Sequence, residues 1–338
     1  GFDYEPCDGG GVNMAAAYLV RWAGPLTESQ HPYEYGPDGV VAPCRHVQDI
    51  VVIDARKDAG DLAKIKNAVY TTGAVYAKMR WYDQAYNPAR AAYYYRGGEP
   101  SSQHAVVIVG WDDNFPASRF KTAPPGNGAF LCKNSWGTGW GTAGYFCVSY
   151  HDRYLARESA SAIFKAERST NYKANYGYDP LGCVGWHGGI SNTHWFSNIF
   201  RATSNASLKA VGFYSPIANS LYDLYVYAGV QPGVPRSGTL KHVKNGFLPN
   251  RGYVTIPLDS IVPIVYNQRF AIVVRLRTNV IQAKYLVAVE YRLDGYSSAA
   301  TASPGQSFVS LNGTQWTDFT EYTPTGNVCL RAYTKYTY

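Results

Sequence analysis

The chain has 338 residues, of which 46% are hydrophobic, and its 31 Lys and Arg against 24 Asp and Glu give a net charge of +7. This length is enough for two ordinary hydrophobic cores, so we expect two domains. The positive excess falls in residues 165–338, which hold 16 basic and 8 acidic residues, whereas residues 1–164 hold 15 and 16. No dense run of Lys and Arg accompanies it, which argues against a nucleic-acid partner and leaves an anionic polymer or an ordinary basic surface.

The cysteine content favours an exported protein. The six cysteines are an even number, and the chain contains 30 Tyr but only 2 Met. This composition is typical of proteins that fold in an oxidising compartment, so we expect an extracellular or cell-surface location. The chain lacks a run of about 18 apolar residues, which argues against a membrane-spanning helix. It opens on Gly1 without an initiator Met, and we expect this start to lie inside a folded motif.

The first half of the chain has the pattern of an α+β domain. Apolar residues at helical spacing predict one helix over 13–22 and another over 58–72. Four short β-rich runs follow, over 73–79, 105–111, 130–135 and 144–150. Helices followed by a small sheet are typical of an α+β fold, so we predict such a domain over residues 1–158.

The second half has the pattern of an all-β sandwich. Residues 159–175 are polar and without strong periodicity, so we predict a linker there and a sandwich over 176–338. Five strands are predicted, over 208–214, 221–228, 269–277, 285–291 and 328–334. The run RFAIVVRLR (269–277) alternates apolar with other residues, which predicts a strand with one face in the core and arginines outside.

Two segments carry residue types suited to nucleophilic catalysis. In SQHAVVIVGWDD (102–113), His104 stands at the start of an apolar strand; in CKNSWGTGWGTAGYF (132–146), Asn134 ends a strand and Trp136 follows it. A cysteine-type acyl transferase needs an imidazole to pair with the thiolate and a side-chain carbonyl to fix the imidazole tautomer. It also needs an apolar cover over that hydrogen bond. His104, Asn134 and Trp136 are candidates for these three roles.

Both segments resemble the histidine and asparagine motifs of the papain family of cysteine peptidases. Upstream, CDGG (7–10) resembles the family's C-N-G-G motif, and HPYE (31–34), with Cys44 behind it, resembles the family's YPYE stretch. The resemblance covers about residues 1–152. It implies a papain-like peptidase domain that uses no cofactor.

The same resemblance implies roles for individual residues. His104 would be the general base and acid, Asn134 its orienting partner, and Trp136 the shield of their hydrogen bond. A backbone group near the second motif glycine would bind the peptide by β-type pairing, and the residue before His104 would lie near the pocket for the substrate's second residue. The substrate-binding residues implied in this way are Gly9, Gly10 and Gln103.

The family's nucleophile motif, a G-x-C-G-x-C-W pattern on a long helix, does not occur in the chain. The oxyanion-hole glutamine that precedes it in the family has no counterpart either, and the family's disulfide partners of Cys7 and Cys44 belong to the same segment. We therefore expect a second polypeptide segment to carry the nucleophilic cysteine. Two alternatives stay open: the segment was removed during maturation and left an inert remnant, or the protein is a pseudo-peptidase with a structural role.

Residues 165–338 resemble the lectin-like domain that accompanies some papain-like peptidases. The matching segments are YDPLG (178–182), SLKAVGFY (207–214), RSGTL (236–240), GQSFVSLNGTQWTD (305–318) and NVCLRAY (327–333). The resemblance implies either a domain that binds a surface glycan or one that packs against the catalytic domain. Trp186, Trp195 and Trp316 are candidates to stack on sugar rings and equally candidates for the core.

Four cysteines are candidates for two disulfide bonds. Cys183 stands near the start of the sandwich and Cys329 in its last strand, so a bond between them would join the ends of that domain. Cys132 and Cys147 flank a hairpin, and we expect them to face each other across its two strands.

Taken together, the patterns predict a secreted cysteine endopeptidase of papain type, in which this chain supplies the histidine and asparagine of the catalytic site. The alternatives are a non-catalytic surface or assembly protein built on a peptidase remnant and a glycan-binding module. His187 and His194 lack cysteine or carboxylate partners at ligand spacing, so we predict no metal site. The expected partners are a peptide or protein substrate, the second polypeptide segment, and a cell-surface glycan or anionic polymer.

Overall fold

The computed structural model describes residues 1–5, 8–30, 42–98, 100–280, 283–284 and 286–336. Cys7 and the HPYE stretch lie outside these residues, so what the sequence predicts for them stays a prediction. The described residues contain two α-helices, α1 over Val12–Val20 and α2 over Ala63–Thr71. Helix α2 begins later than the sequence predicts, because the Asp58 carboxylate accepts hydrogen bonds from the N–H groups of Gly60 and Asp61 and holds them in a turn.

The remaining regular structure is almost entirely β-strand, with four short 3-10 helices. In chain order the strands are β1 (Arg45–Ile53), β2 (Val75–Trp81), β3 (Tyr86–Asn87), β4 (Ala92–Tyr93), β5 (Ser102–Asp112), β6 (Ala129–Lys133), β7 (Tyr145–Ser149), β8 (Ser161–Arg168), β9 (Ala174–Tyr176), β10 (Gly185–His187), β11 (Thr193–Arg201), β12 (Ala206–Ser215), β13 (Ser220–Ala228), β14 (Thr239–Leu248), β15 (Arg251–Ile264), β16 (Arg269–Arg277), β17 (Val287–Glu290), β18 (Ser307–Ser310), β19 (Thr317–Asp318), β20 (Asn327–Val328) and β21 (Leu330–Tyr336). The 3-10 helices are Asp83–Ala85, Pro88–Arg90, Ala117–Arg119 and Phe319–Glu321. Each predicted strand overlaps one of the observed strands, but the described residues are richer in strand than the α+β prediction implies.

The chain forms two compact units, one of residues 51–164 and one of residues 1–50 together with 165–338. Residues 159–175, which the sequence predicts to be a linker, contain β8 and the start of β9. The sequence does not reveal β8, because its first three residues are buried and its last four, Lys165–Arg168, are exposed. A strand that is half polar on both faces has no alternating pattern to detect.

The unit of residues 51–164 is a sheet with α2 packed on one face. Its strand order is β3, β4, β7, β6, β5, β2 and β8, and β4 with β7 is the parallel pair. Alternation along β2 buries every second side chain, and Ile65 of α2 is fully buried in the same apolar cluster. The β2 residues that face this cluster are Val75, Ala77, Met79 and Trp81.

The other unit is built around a β-sandwich, as the sequence predicts. One sheet has the order β14, β13, β16, β11, β18, β19; β1, β15, β12, β21 and β9 form a second layer, and β10, β17 and β20 a small third sheet. The main core draws on both large layers, with Leu224 of β13 and Phe270 of β16 against Phe213 of β12, all fully buried.

Strand β16 is more deeply buried than its alternating sequence predicts. Its second face is covered at the centre, where Ala271 and Val273 join a separate apolar cluster with Trp195. Partly exposed arginines stand only toward the two ends of the strand, at Arg269, Arg275 and Arg277, and the guanidinium of Arg275 donates to the Asp223 carboxylate at 2.8 Å. Trp195 is therefore a core residue, 8% exposed, and not a surface platform for a sugar.

Residues 1–50 pack against the sandwich with which they cluster. The indole of Trp22 stacks on the imidazole of His46, with ring centroids 3.7 Å apart, and on Tyr333 at 5.3 Å. The Nδ2 of Asn175 donates to the carbonyl of Val20 at 2.9 Å. This part of the predicted 1–158 domain therefore belongs, by contacts, to the sandwich unit.

Candidate active site

His104 lies near the start of β5, on the face of the sheet that covers the core. In the register of β2 and β5 it stands opposite Met79, and it shares its face with the buried Val106 and Ile108. The ring of His104 is partly buried, so β5 holds this imidazole at the border between core and solvent.

Asn134 follows directly after β6 and meets the histidine. Its Oδ1 lies 2.9 Å from Nε2 of His104 and also accepts the N–H of Ser135 at 2.8 Å. An amide oxygen can only accept, so Nε2 of His104 carries the proton and Nδ1 is left with its lone pair. Asn134 is 6% exposed, and its backbone N–H donates to the carbonyl of Gly144 at 2.9 Å. The sequence-predicted pair is therefore assembled in the structure.

Aromatic rings cover the hydrogen bond between His104 and Asn134. The Trp136 ring lies 4.9 Å from the imidazole, and Trp81 lies 5.8 Å from it on an edge. Trp136 also makes edge contacts with Trp81 at 4.7 Å and with Trp140 at 5.0 Å. Such a cover lowers the local dielectric and strengthens the hydrogen bond beneath it. Among these tryptophans, Trp81 is one that the sequence analysis does not identify as a site residue. The sequence feature that could have indicated it is its position as the last buried residue in the alternating pattern of β2.

A glycine-rich turn sets the position of Asn134. Gly141 has a φ of +59°, and a Cβ on it would lie 2.5 Å from the carbonyl oxygen of Tyr145. The N–H of Gly144 donates to the carbonyl of Trp140 at 2.7 Å, which closes the turn. Because a Cβ at Gly141 would collide with the carbonyl oxygen of Tyr145, glycine is needed at this point of the turn that brings the Gly144 carbonyl to the Asn134 N–H.

Burial lowers the pKa of His104 below its ordinary value of 6.5, and the hydrogen bond that its Nε2 donates to Asn134 partly opposes that shift. The imidazole is therefore neutral at neutral pH in this chain. A neutral imidazole with a free Nδ1 can accept a proton, and a neighbouring thiolate would favour its charged form.

Of the three substrate-binding candidates, only Gln103 lies in the same compact unit as this site. Gln103 is exposed on the opposite face of β5 from His104, next to Arg80 in the β2 register. Gly9 and Gly10 lie in the other compact unit, so their role at a cleft stays a prediction. Gly9 has a φ of +83°, which favours glycine there.

The predicted bond between Cys132 and Cys147 is wrong. In the register of β6 and β7, Cys132 pairs with Phe146 and Cys147 with Leu131, so the two cysteines are offset by one residue. An offset of one residue places their side chains on opposite faces of the sheet. Both thiols are free; Cys132 is fully buried in the core and Cys147 packs on the other side.

The predicted bond between Cys183 and Cys329 is also absent, and both thiols are free. Cys183 precedes β10 and Cys329 follows β20, and these two strands lie on opposite sides of β17. Both cysteines are buried, and the charge of Cys183 is among the causes that raise the pKa of Cys329, so the two side chains share one buried region.

Four of the five cysteines in the described residues have thiols that burial makes poor nucleophiles. Burial raises the pKa of Cys147 to about 11 and that of Cys183 to about 12, and it raises the pKa values of Cys132 and Cys329 well above normal. Thiolate activation requires the opposite shift. In the same described ranges, no group of three His, Cys, Asp or Glu side chains could hold a metal ion, and no helix is long and apolar enough to cross a membrane.

Comparisons with protein families match both halves of the chain. Residues 2–164 match the model of the papain family of cysteine proteases, and residues 175–334 match the model of the lectin-like domain. These matches confirm the two resemblances seen in the motifs.

Several curated cysteine proteinases match part of the chain. Cathepsin K of Gallus gallus is 29% identical over 151 residues, which are 42% of this chain and 40% of that protein. A gut-specific cysteine proteinase of Caenorhabditis elegans is 30% identical over 105 residues, which are 31% of this chain and 29% of that protein. The chain thus spans well under half the length of these relatives.

Two solved structures extend the similarity over both units. A variant of the clostridial cysteine protease Cwp84 after propeptide cleavage has a TM-score of 0.85 at 28% identity, covering 100% of this chain and 85% of that chain. The cysteine protease and lectin-like domains of Cwp84, a surface layer associated protein of Clostridium difficile, give a TM-score of 0.79 at 28% identity, covering 96% and 73%.

Proposed function

Because the chain carries a papain-family cysteine protease domain followed by a lectin-like domain, we propose that it is part of a secreted cysteine endopeptidase and supplies the base of its catalytic site. The observation that carries this proposal is the 2.9 Å hydrogen bond between His104 and Asn134 beneath Trp136. The same residues lie in the part of the chain that matches the papain family of cysteine proteases, which is why we assign this geometry a catalytic role.

The reaction follows from which imidazole nitrogen is occupied. Since Nε2 donates to Asn134, Nδ1 is the atom that pairs with a cysteine thiol and takes its proton. The thiolate attacks the peptide carbonyl, and the proton on Nδ1 passes to the leaving amine. Nδ1 then deprotonates the water that hydrolyses the thioester. Throughout, Asn134 holds the ring orientation and Trp136 keeps water from their hydrogen bond.

The thiol in this proposal comes from a polypeptide segment other than the described residues. Two observations support this. Cys132 is fully buried in the core, and Cys147 lies on the face of the β6–β7 hairpin opposite to Cys132. Cys183 and Cys329 belong to the other unit and are buried as well. A segment that carries a cysteine at the start of a helix would supply both the nucleophile and its activation.

The proposed substrates are peptides or proteins outside the cell or at its surface. Support comes from the similarity to Cwp84, which is described as surface layer associated in Clostridium difficile, and from a composition typical of exported proteins.

The test compares the 338-residue chain alone with the chain co-expressed with the polypeptide encoded upstream of it. We expect the chain alone to hydrolyse no peptide substrate and to escape labelling by thiol-directed peptidyl inhibitors, since the catalytic members act as a unit. We expect the co-expressed form to hydrolyse the peptide substrate and to be labelled by the inhibitors. In this form, His104→Ala is expected to abolish turnover. His151→Ala, a change of another partly buried histidine in the same unit, is the control and is expected to keep turnover. Silence of the co-expressed form would instead indicate a non-catalytic surface or assembly protein.

A further inference from the structure

The sandwich unit contains a cavity of about 380 Å³ between two of its loops. One wall is the turn between β10 and β11, and the other is β18 with the loop that leads into β19. Its volume lies at the lower end of the range of small-ligand sites, about 300–1,000 Å³. The cavity lies in residues 187–322 and is independent of the histidine and asparagine of the other unit.

Hydrogen bonds hold the β18–β19 loop in one conformation. The Oδ1 of Asn312 accepts the N–H groups of Thr314 and Gln315, each at 2.9 Å, and its Nδ2 donates to Oε1 of Gln315 at 3.2 Å. The N–H of Gly313 donates to Oγ of Ser310 at 2.8 Å. This loop therefore presents amide and hydroxyl groups to the cavity in fixed positions, which lowers the entropic cost of binding.

An aromatic surface stands at the rim of the cavity. The Tyr322 ring is 4.6 Å from the imidazole of His187, which in turn meets Phe319 edge-on at 5.1 Å. Tyr322 is 56% exposed although its neighbours are anchored, so one face of the ring is open to a ligand. Leu311, 74% exposed, lines the same cavity.

A second imidazole forms part of the cavity wall. His194 is 3% exposed, and within the described ranges its Nε2 has no hydrogen-bond partner. Gly188, with a φ of +148°, lies so close that a Cβ on it would come within 2.8 Å of the His194 ring. Burial lowers the pKa of both His187 and His194, so these imidazoles are neutral at neutral pH.

From this arrangement we infer that the cavity binds an uncharged saccharide unit. A pyranose ring has an apolar C–H face, which suits the open face of Tyr322, and a hydroxyl edge, which suits the amides of Asn312 and Gln315 and the buried imidazole of His194. Among the described residues, every one that lines the cavity is uncharged at neutral pH, so an acidic sugar or a phosphate would lose its hydration without gaining a counter-charge from them. The residue that stacks on the sugar is thus a tyrosine, and none of the three tryptophan candidates lines this cavity.

The test uses the 338-residue chain with a panel of neutral oligosaccharides (glucans, mannans and N-acetylglucosamine oligomers) and matched oligouronates, in saturation-transfer NMR and isothermal titration calorimetry. We expect saturable binding of at least one neutral oligomer. Tyr322→Ala and Gln315→Ala are each expected to weaken it about tenfold, whereas Tyr322→Phe retains the ring and the affinity. Tyr266→Ala, which removes a tyrosine that is 67% exposed elsewhere in the unit, is the control and is expected to leave binding unchanged.

Three results would overturn the inference: no saturable binding of any neutral oligomer, tighter binding of the oligouronates, or equal affinity in the Tyr322→Ala and Gln315→Ala variants and the unaltered chain. The variants change exposed side chains, so we expect them to fold. A midpoint of thermal unfolding equal to that of the unaltered chain verifies this. His104→Ala is expected to bind the saccharide like the unaltered chain, so failure here and failure of the proposed peptidase function are told apart.

Discussion

The side chains of His104 and Asn134 meet at 2.9 Å although 30 positions separate them in the chain. The β5–β6 ladder brings them together: Val107 pairs with Lys133, and one residue further along β6 the chain reaches Asn134. Their meeting is thus a consequence of antiparallel pairing within one sheet, and it needs no contribution from outside residues 51–164.

The first prediction concerns the titration of His104. Burial lowers its pKa and the hydrogen bond to Asn134 raises it. We therefore expect its pKa to lie below 6.5 in the unaltered chain and lower still in Asn134→Ala, because the burial remains and the opposing hydrogen bond is lost. NMR titration of the imidazole resonances measures both values. The resonances of His187, in the other unit, serve as the internal control and are expected not to move; an unchanged or higher value for His104 in the variant would contradict the assignment.

The second prediction concerns catalysis in the form that contains the nucleophile. Removal of a hydrogen bond to a charged group costs about 1.5–3 kcal/mol, which corresponds to a loss of about 10- to 150-fold in rate. Because Asn134 orients the base and does not touch the substrate, Asn134→Ala is expected to lower kcat and leave KM nearly constant. Steady-state kinetics on a peptide substrate separates the two. An effect confined to KM would mean that Asn134 acts in substrate binding.

A matched pair of glycine substitutions tests the turn that carries the asparagine. Gly141→Ala forces alanine into a φ of +59° and brings its Cβ to 2.5 Å from a carbonyl oxygen, so we expect a loss of at least about 1–2 kcal/mol. Gly139→Ala, two positions away, meets no atom within 4 Å and is expected to change stability by less than about 1 kcal/mol. Urea unfolding followed by the fluorescence of the nearby tryptophans measures both. Equal effects would show that the turn does not require glycine at Gly141.

The pH dependence of stability is predicted to reflect Glu290. Burial, and next the charge of Asp179, raises the pKa of this carboxyl to about 8 from an ordinary 4.5. A folded-state pKa above the unfolded value means that the native state holds the proton more tightly. The contribution of Glu290 to the free energy of unfolding is therefore complete below about pH 4.5, and it is lost as the pH rises to about 8.

Glu290→Gln removes this titration. We expect the variant to lose less stability than the unaltered chain between pH 5 and pH 8, by at least about 1.4 kcal/mol, the equivalent of one pKa unit. Urea midpoints across that range provide the measurement, and Glu321→Gln, at an exposed carboxyl, is the control. Parallel pH profiles for the unaltered chain and Glu290→Gln would show that Glu290 is ionised in the folded protein at neutral pH.

Chemical mapping tests the cysteine geometry. We expect peptide mapping without reduction to find Cys132, Cys147, Cys183 and Cys329 as thiols, because all four are free in the structure and the first two lie on opposite faces of their hairpin. In the folded chain Cys132 is expected to resist alkylation until the protein unfolds, since it is fully buried. A Cys132–Cys147 peptide would require a register shift of one residue in the β6–β7 hairpin.

The sequence predicts the site better than it predicts the contacts around it. His104, Asn134 and Trp136 belong to local motifs whose residue types follow from the chemistry, so they can be read without a fold. Trp81 cannot, because its approach to the imidazole depends on the pairing of β2 with β5. The predicted Cys132–Cys147 bond fails for a related reason. The sequence shows that the two cysteines flank a hairpin, but the face that each side chain takes depends on a register that a shift of one residue reverses.

The sandwich shows the same limit. Alternation along β16 predicts one buried face, and the second apolar cluster on its other side arises from Trp195 and Phe308, which belong to strands far away in the chain. Likewise the cavity beside Tyr322 joins residues more than a hundred positions apart, and no local pattern marks it.

Since the hydrogen bond, strand pairing and ring contacts of His104 described above all come from residues 76–146, the base is in place before any sulfur arrives. In the proposed enzyme, where another segment supplies the thiol, the onset of proteolysis would then depend on docking of that segment and not on slow reorganisation around the imidazole.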